Sequence, residues 1–220
     1  MFIGHFALGL AAKPQTPRVS LAMLFAAAQL ADLVWPVLVA AGVEQVRIDP
    51  GNTAFTPLDF VSYPYSHSLL TLVIWGLLLA WGYRLLAGNG PRAFLVIASL
   101  VVSHWVLDVL THRPDMPLYP NGPKFGLGLW NSVGLTIAIE GAMFGVGAWL
   151  YLRATRARDK MGRWGFFSLT AFLLLVYVAN AFGPPPPSVP AIYWAGMIGG
   201  VVLTLWAWWA DQHRESVARD

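Results

Sequence analysis

The sequence contains no cysteine. No disulfide framework and no thiolate metal site can form, so any metal has to be held by imidazole and carboxylate groups. Charge is scarce as well: Asp, Glu, Lys and Arg make up 11% of the 220 residues, where soluble domains carry about a quarter. A chain that is 57% hydrophobic, with a mean hydropathy of +0.58, reads as a membrane protein. The net charge of +3 is small, and the basic residues are scattered between apolar runs. That pattern excludes nucleic acid as a partner, which would call for a basic face. No basic leader precedes the first apolar stretch, "MFIGHFALGLAAKPQ", so it does not read as a cleaved signal although it ends in small residues. About a dozen residues are too few to cross a bilayer, and this stretch predicts a short re-entrant or interfacial helix.

Apolar runs of spanning length, about 20 residues, occur near 18–42, 67–87, 92–112, 128–152, 163–183 and 191–211. The expected fold is all-α: a polytopic bundle of six transmembrane helices plus the short N-terminal helix. Residues 1–220 form one integral-membrane domain, with its polar motifs in 1–152 and two further spans in 163–211. Taking alternate loops, Lys13, Arg18, Arg84, Arg92, Arg153, Arg156, Arg158, Lys160, Arg163, Arg214 and Arg219 fall on one side, against Arg47, Arg113 and Lys124 on the other. The positive-inside rule makes the first side, with the C-terminus, cytoplasmic, in what is expected to be a bacterial inner membrane. The opposite loops, 43–66, 113–127 and 183–190, are rich in Pro, Gly and Asn and read as turns. Tryptophan near the span ends reads as interfacial anchoring rather than as a cofactor site.

Six ionisable residues fall within the spans: Asp32, His67, His104, Asp108, His112 and Glu140. Such groups cost about 2.5–3.5 kcal/mol each on insertion scales and point to function. His104, Asp108 and His112 follow at steps of four residues and share one helical stripe. The first two are about 6 Å apart along the axis, a comfortable reach for two ligands of one ion, whereas His104 to His112 is about 12 Å. His104 and Asp108 are therefore a pair, with His112 serving something adjacent. Depth supports convergence. Counting from the basic residue at each span end, at about 1.5 Å per residue, Asp32, His67, His104, Asp108 and Glu140 all lie about 18–25 Å from the basic side.

Taken singly, each residue has a plainer use: a buried histidine packs, a carboxylate relays protons, and Asp115 is solvated in a loop. Arg113 beside a metal cluster could clamp a phosphate, with Lys124 as another cation for it. Gln29, three residues before Asp32, supports that carboxylate, and Ser68 supports His67. The joint pattern favours metal.

"IGHFALGL", "QLADLVW", "YSHSLL" and "SHWVLDVLT" together resemble the YdjM-like membrane-bound metal-dependent hydrolases, over the first half of the chain. The order His, Asp, His-Ser, His-x-x-x-Asp-x-x-Thr is carried by His5, Asp32, His67, Ser68, His104, Asp108 and Thr111. Two departures are Ala31 where that family usually has Pro, and "YPY" where it has an Arg-Gly stretch before His-Ser. The ligand order is also similar to that of zinc-dependent phospholipases C and single-strand nucleases, helical phosphoesterases with three metals. That resemblance implies Asp32, His67, His104 and Asp108 around one ion, His5 with Asp108 at a neighbouring one, and His112 with Glu140 at a further one. It also requires the N-terminal segment to dip inward.

The expected activity is hydrolysis of an amphiphilic or lipid-linked phosphate ester by metal-activated water, with one to three divalent ions, zinc by ligand type. Asp32 orients the water and Arg113 holds the phosphate, at a site opening toward the periplasmic half. Two other classes stay open: a proton- or cation-coupled transporter using Asp32, Asp108 and Glu140, and a scaffold whose polar groups glue helices together.

Overall fold

A computed structural model of the chain describes residues 1–88 and 90–217; Arg219 of the basic tally lies outside the described residues. Five helices are long and apolar enough to cross a membrane: α4 (Leu69–Ala87), α5 (Pro91–Thr111), α6 (Val133–Ala154), α7 (Lys160–Phe182) and α8 (Val189–Gln212). Their ends follow local chemistry. Ser68, Ser132, Asp159 and Ser188 accept a backbone N–H as N-caps of α4, α6, α7 and α8, taking up donors that a helix start leaves free. α4 stops at Gly88 in the left-handed conformation (φ 64°), which costs glycine little. α5 restarts with Pro91 in its first turn, where a missing N–H does no harm.

The first expected span is not one helix. α2 (Leu21–Ala28) and α3 (Leu30–Ala40) meet at Gln29 with a bend of 57°. Counted as one broken span they bring the number to six. The break puts Asp32 in the first turn of α3, where the helix dipole favours a carboxylate.

The short helix α1 (Ile3–Ala12) is buried over eight of its ten residues. It is not interfacial, because Ile3, Phe6, Ala7 and Leu10 leave it no polar face, and a helix apolar all round belongs in a core. It packs against α6 at Gly147, where a Cβ atom would stand 2.4 Å from the Ala7 carbonyl oxygen. Phe6 and Leu10 of α1 share one core with Phe25, Phe144, Phe166 and Leu169. A second core joins α2, α4 and α5 through Leu24, Leu72, Ile97 and Val101. The outer faces expose Leu77, Leu78, Trp81, Leu175, Trp208 and many other large apolar side chains, as a multi-pass membrane protein presents to lipid.

The two ends differ. At the loop end, segments read from sequence as turns form two small antiparallel hairpins. β1 (Gln45–Ile48) pairs with β2 (Leu58–Ser62), and β3 (Met116–Pro117) with β4 (Lys124–Phe125). Arg47, Arg113 and Lys124 all line one shallow recess here with Asp59 and Asp115. At the opposite, basic end, β5 (Thr155–Ala157) pairs with β6 (Arg214–Ser216), fastening the segment after α8 to the α6–α7 connection. There Lys13 at the end of α1 donates to Asp211 of α8 at 2.7 Å. Asp211 also accepts from the Leu21 amide at 2.9 Å and the Tyr151 hydroxyl at 2.7 Å. This buried pair ties α1, α2, α6 and α8 together.

Breaking a buried ion pair by removing one partner costs about 3–5 kcal/mol, whereas an apolar replacement of both is often neutral. Asp211→Ala is expected to lower the thermal midpoint in detergent sharply, and Lys13→Met with Asp211→Leu to recover most of it. A double variant as unstable as the single one would refute the pairing.

Candidate metal centre

Asp108, on the inward face of α5 and buried, is the point on which the other groups close. His104 Nε2, one turn earlier, lies 3.1 Å from Asp108 Oδ2, and His5 Nε2 from α1 lies 3.0 Å from Oδ1. His67, just ahead of α4, places Nε2 3.9 Å from Asp108 Oδ2 and 3.5 Å from Asp32 Oδ1. His104 Nε2 is 3.8 Å from the same Asp32 oxygen. Two three-residue groups result, His5 with His104 and Asp108, and Asp32 with His67 and His104, each with its donor atoms within 4.8 Å of one another. The His5 and His104 rings stack at 3.7 Å and 3°. Of the five residues that the sequence places at one depth, Asp32, His67, His104 and Asp108 meet here and Glu140 does not join either group.

The fit to a metal is tested by the ring nitrogens that face away. His104 Nδ1 is 2.8 Å from the Ala28 carbonyl oxygen, which can only accept, so Nδ1 carries a proton and, in the neutral ring, Nε2 the lone pair. Ala28 is the last residue of α2, where carbonyls lack intrahelical partners. Ser66 Oγ donates to Glu44 Oε2 at 2.6 Å, and so accepts from His67 Nδ1 at 2.7 Å. His112 Nδ1 is 3.0 Å from Asp115 Oδ1. Three histidines are therefore fixed in the tautomer that presents Nε2 to the centre, the arrangement that metal-ligating imidazoles use. His104 Nε2 is buried and, despite its nearness to Asp108, unaligned for a hydrogen bond. These observations fit a divalent ion held by nitrogen and carboxylate oxygen.

Not every expected ligand joins. His112 lies 4.0 Å from Asp108 through Nε2 and belongs to neither three-residue group. It borders the centre, in line with its reading as a neighbour of the His104–Asp108 pair. Glu140 is not beside His112. Its Oε2 accepts from the Phe2 and Gly4 amides at 2.9 and 3.1 Å, capping α1, while Oε1 is buried and unpaired among the described residues. The Met1 amine pairs with Asp108. Gln29 is buried at the α2–α3 break and makes no hydrogen bond to Asp32 among the described residues.

Arg113 faces away. Its guanidinium pairs with Asp59, donates to Asn52 at 2.5 Å and reaches Asp115 at 3.4 Å. Lys124 sits with it in the recess at the loop end. Ser68 does not support His67 either: its hydroxyl caps α4 and meets Thr71 Oγ1 at 2.8 Å. The supporting residues are Ser66 and Glu44, with Asp115 and Tyr63 on the other flank. Tyr63 donates to Asp115 Oδ1 at 2.6 Å; burial, and then the Asp115 carboxylate, push its phenol well above the usual value, so it stays a donor. In the sequence the only pointer to Ser66 is that serines flank His67 on both sides.

A cavity of about 290 Å³ lies over the centre. Asp32, His67, Asp108 and His112, with Met1, Thr56 and Asn180, line its polar part, Trp35, Phe55, Phe60 and Trp130 much of its wall, and no Lys or Arg among the described residues lines it. Asp32 is the open member, its side chain 41% exposed against 3% for Asp108. No protein-family model, curated protein or solved structure matches this chain.

Groups that orient a metal ligand through its far nitrogen are worth about 10–100-fold in affinity. Ser66→Ala and Glu44→Gln should each weaken zinc binding by that factor in competition with a chromophoric chelator. Ser68→Ala should leave it within about twofold while costing about 1 kcal/mol of stability as a lost cap. Equal effects at Ser66 and Ser68 would contradict the His67 assignment.

Proposed function

We propose that this chain is a membrane-embedded, metal-dependent hydrolase of phosphate esters. The observation that carries the reading is the pair of three-donor groups sharing His104, with the tautomers of His104 and His67 set so that Nε2 faces the centre. The grouping of Asp32, His67, His104 and Asp108, with His5 beside Asp108, is in keeping with two of the three ligand sets that the resemblance implies; the third, His112 with Glu140, is not brought together. Zinc suits imidazole and carboxylate, and when bound it would lower the pKa of a water and neutralise charge on a phosphoryl group.

The residues divide the remaining work. Asp32, open to the cavity, accepts the proton of the attacking water; no protein nucleophile is required. His5, His67, His104 and Asp108 would be the ligands, with Asp32 as a further donor beside His67 and His104. Glu140 holds the first turn of α1, and through it His5, by its bonds to the Phe2 and Gly4 amides. The aromatic walls exclude bulk water and accept apolar substrate, so the substrate class is an amphiphilic or lipid-linked phosphate. Arg113, engaged by Asp59 and Asn52, has no part in the reaction as it stands. By the positive-inside rule the basic end is cytoplasmic and the site lies in the outer half of a bacterial inner membrane.

One feature favours the transporter reading: a helix broken beside an intramembrane carboxylate, as α2–α3 is at Gln29, is a device of ion-coupled carriers. It occurs once among the described residues, without a counterpart in their second half.

Metal per chain, measured by elemental mass spectrometry on detergent-purified protein, decides between them. Wild type is expected to hold at least one zinc, His104→Ala and Asp108→Ala none, and Arg113→Ala the wild-type amount. Asp32→Asn should cut hydrolysis of a phosphodiester by at least about 100-fold, as removal of a general base does. Wild type without metal after zinc resupply would end the hydrolase reading, and cation flux in proteoliposomes would put the transporter in its place.

A further inference from the structure

At the basic end a recess of about 200 Å³ lies where the end of α1, the approach to α2, the α6–α7 connection and the end of α8 meet. Its charged lining is Lys13, Arg18, Arg158, Asp211, Arg214 and Glu215. Lys13 and Asp211 answer one another, and Asp211 has nothing left to offer. Its Oδ2 accepts from Lys13 at 2.7 Å and from the Leu21 amide at 2.9 Å, and its Oδ1 from Tyr151 at 2.7 Å. Glu215 stands opposite Arg156 in the β5–β6 register, so a cation outside the recess also draws on it. Arg18, Arg158 and Arg214 thus face one carboxylate, an excess of two positive charges.

Arg214 makes that excess costly. It is 9% exposed, and every group that holds it is neutral. Its guanidinium donates to Thr155 Oγ1 at 2.9 Å, the Gly162 carbonyl at 2.9 Å and the Thr155 carbonyl at 3.2 Å, and lies 5.3 and 5.4 Å from the Tyr151 and Phe166 ring centres. No carboxylate among the described residues forms an ion pair with it. Burial pulls its pKa below the usual arginine value, which the nearby Tyr151 and Asp211 do not make good. Arg158 is anchored in the same way, by the Gln212 carbonyl at the end of α8. Carbonyls fix these guanidiniums in place but carry no net charge to balance them, and a buried charge without a counter-charge is expensive.

We propose that this recess binds a phosphomonoester group, held by the exposed Arg18 and Arg158 guanidiniums and balanced by the buried charge of Arg214. The site is at the far end of the bundle from the loop-end hairpins and does not depend on the hydrolase reading. A phosphomonoester carries close to two negative charges at neutral pH, the excess counted above, and its oxygens match the fork of a guanidinium. A carboxylate would leave half of that excess unbalanced. The group reaches the recess either on a lipid headgroup of the adjoining leaflet or as free phosphate.

The test is titration calorimetry on the full chain in detergent at about 0.15 M salt, as purified and again with chelator so that binding at a metal is told apart. The probes are inorganic phosphate and the short-chain lipid dihexanoyl phosphatidic acid. Binding is expected with and without chelator. Arg18→Ala and Arg158→Ala, both at exposed positions, should each weaken it about tenfold, the worth of one hydrogen bond between charged groups. Lys160→Ala, which removes an exposed cation at the same end but outside the recess, should leave it within about twofold, because distant surface charges are screened. Phosphatidic acid bound more tightly than phosphate would identify the lipid headgroup as the source; phosphate bound as tightly or more so would identify the free anion. Neither probe bound, or a loss at Lys160→Ala equal to that at Arg158→Ala, would overturn the site.

Discussion

Asp108 carries a carboxylate into the middle of a bundle whose outer faces meet hydrocarbon. A charge so placed is tolerated only when other groups compensate it, and here they come from the Met1 amine, α1, the start of α4, one position along α5 and its end. His5, His67, His104 and His112 all bring Nε2 within 4.0 Å of it. Much else in the fold serves that convergence. α1 has to be buried for His5 to arrive, and Gly147 makes room for it. The first span has to break at Gln29 for Asp32 to stand at a helix start and for Ala28 to offer its carbonyl to His104.

α1 is held at both ends by buried charge. Lys13 meets Asp211 at the basic end, and eight residues earlier His5 meets Asp108. Between them the helix packs through Phe6 and Leu10 and lies against the backbone of α2 at Leu24 and of α6 at Gly147. A ten-residue helix is marginal on its own, so its geometry is imposed by these two attachments and by the core formed with Phe6 and Leu10.

The centre was legible in the sequence because intramembrane charge is expensive, so each Asp and His there had to have a purpose. The spacing of four between His104 and Asp108 fixed a shared face, and the rise per residue brought Asp32 and His67 to the same depth. What supports the ligands was not legible. Whether Ser66 or Ser68 meets His67 depends on the turn of the chain entering α4, and Glu44 arrives from 22 residues away. Arg113 looked available beside the cluster, but Asp59, on a strand too short to stand out by alternation, claims it. The burial of α1 was half legible: its lack of a polar face pointed inward, while its length alone also suited an interface.

The contact between α1 and α6 also sets an order of assembly. Gly4 and Glu140, bonded in the finished molecule, are 136 residues apart in the chain, and Lys13 and Asp211 are 198 apart. α1 is therefore among the last helices to find its seat, since its neighbours α6 and α8 leave the ribosome long after it. Until then His5 is not held against Asp108, and the membrane has to carry an incomplete bundle with an open seam where α1 will lie. The His–Asp cluster is a product of late closure, and a defect in α6 or α8, away from these side chains, reaches it by leaving α1 unseated.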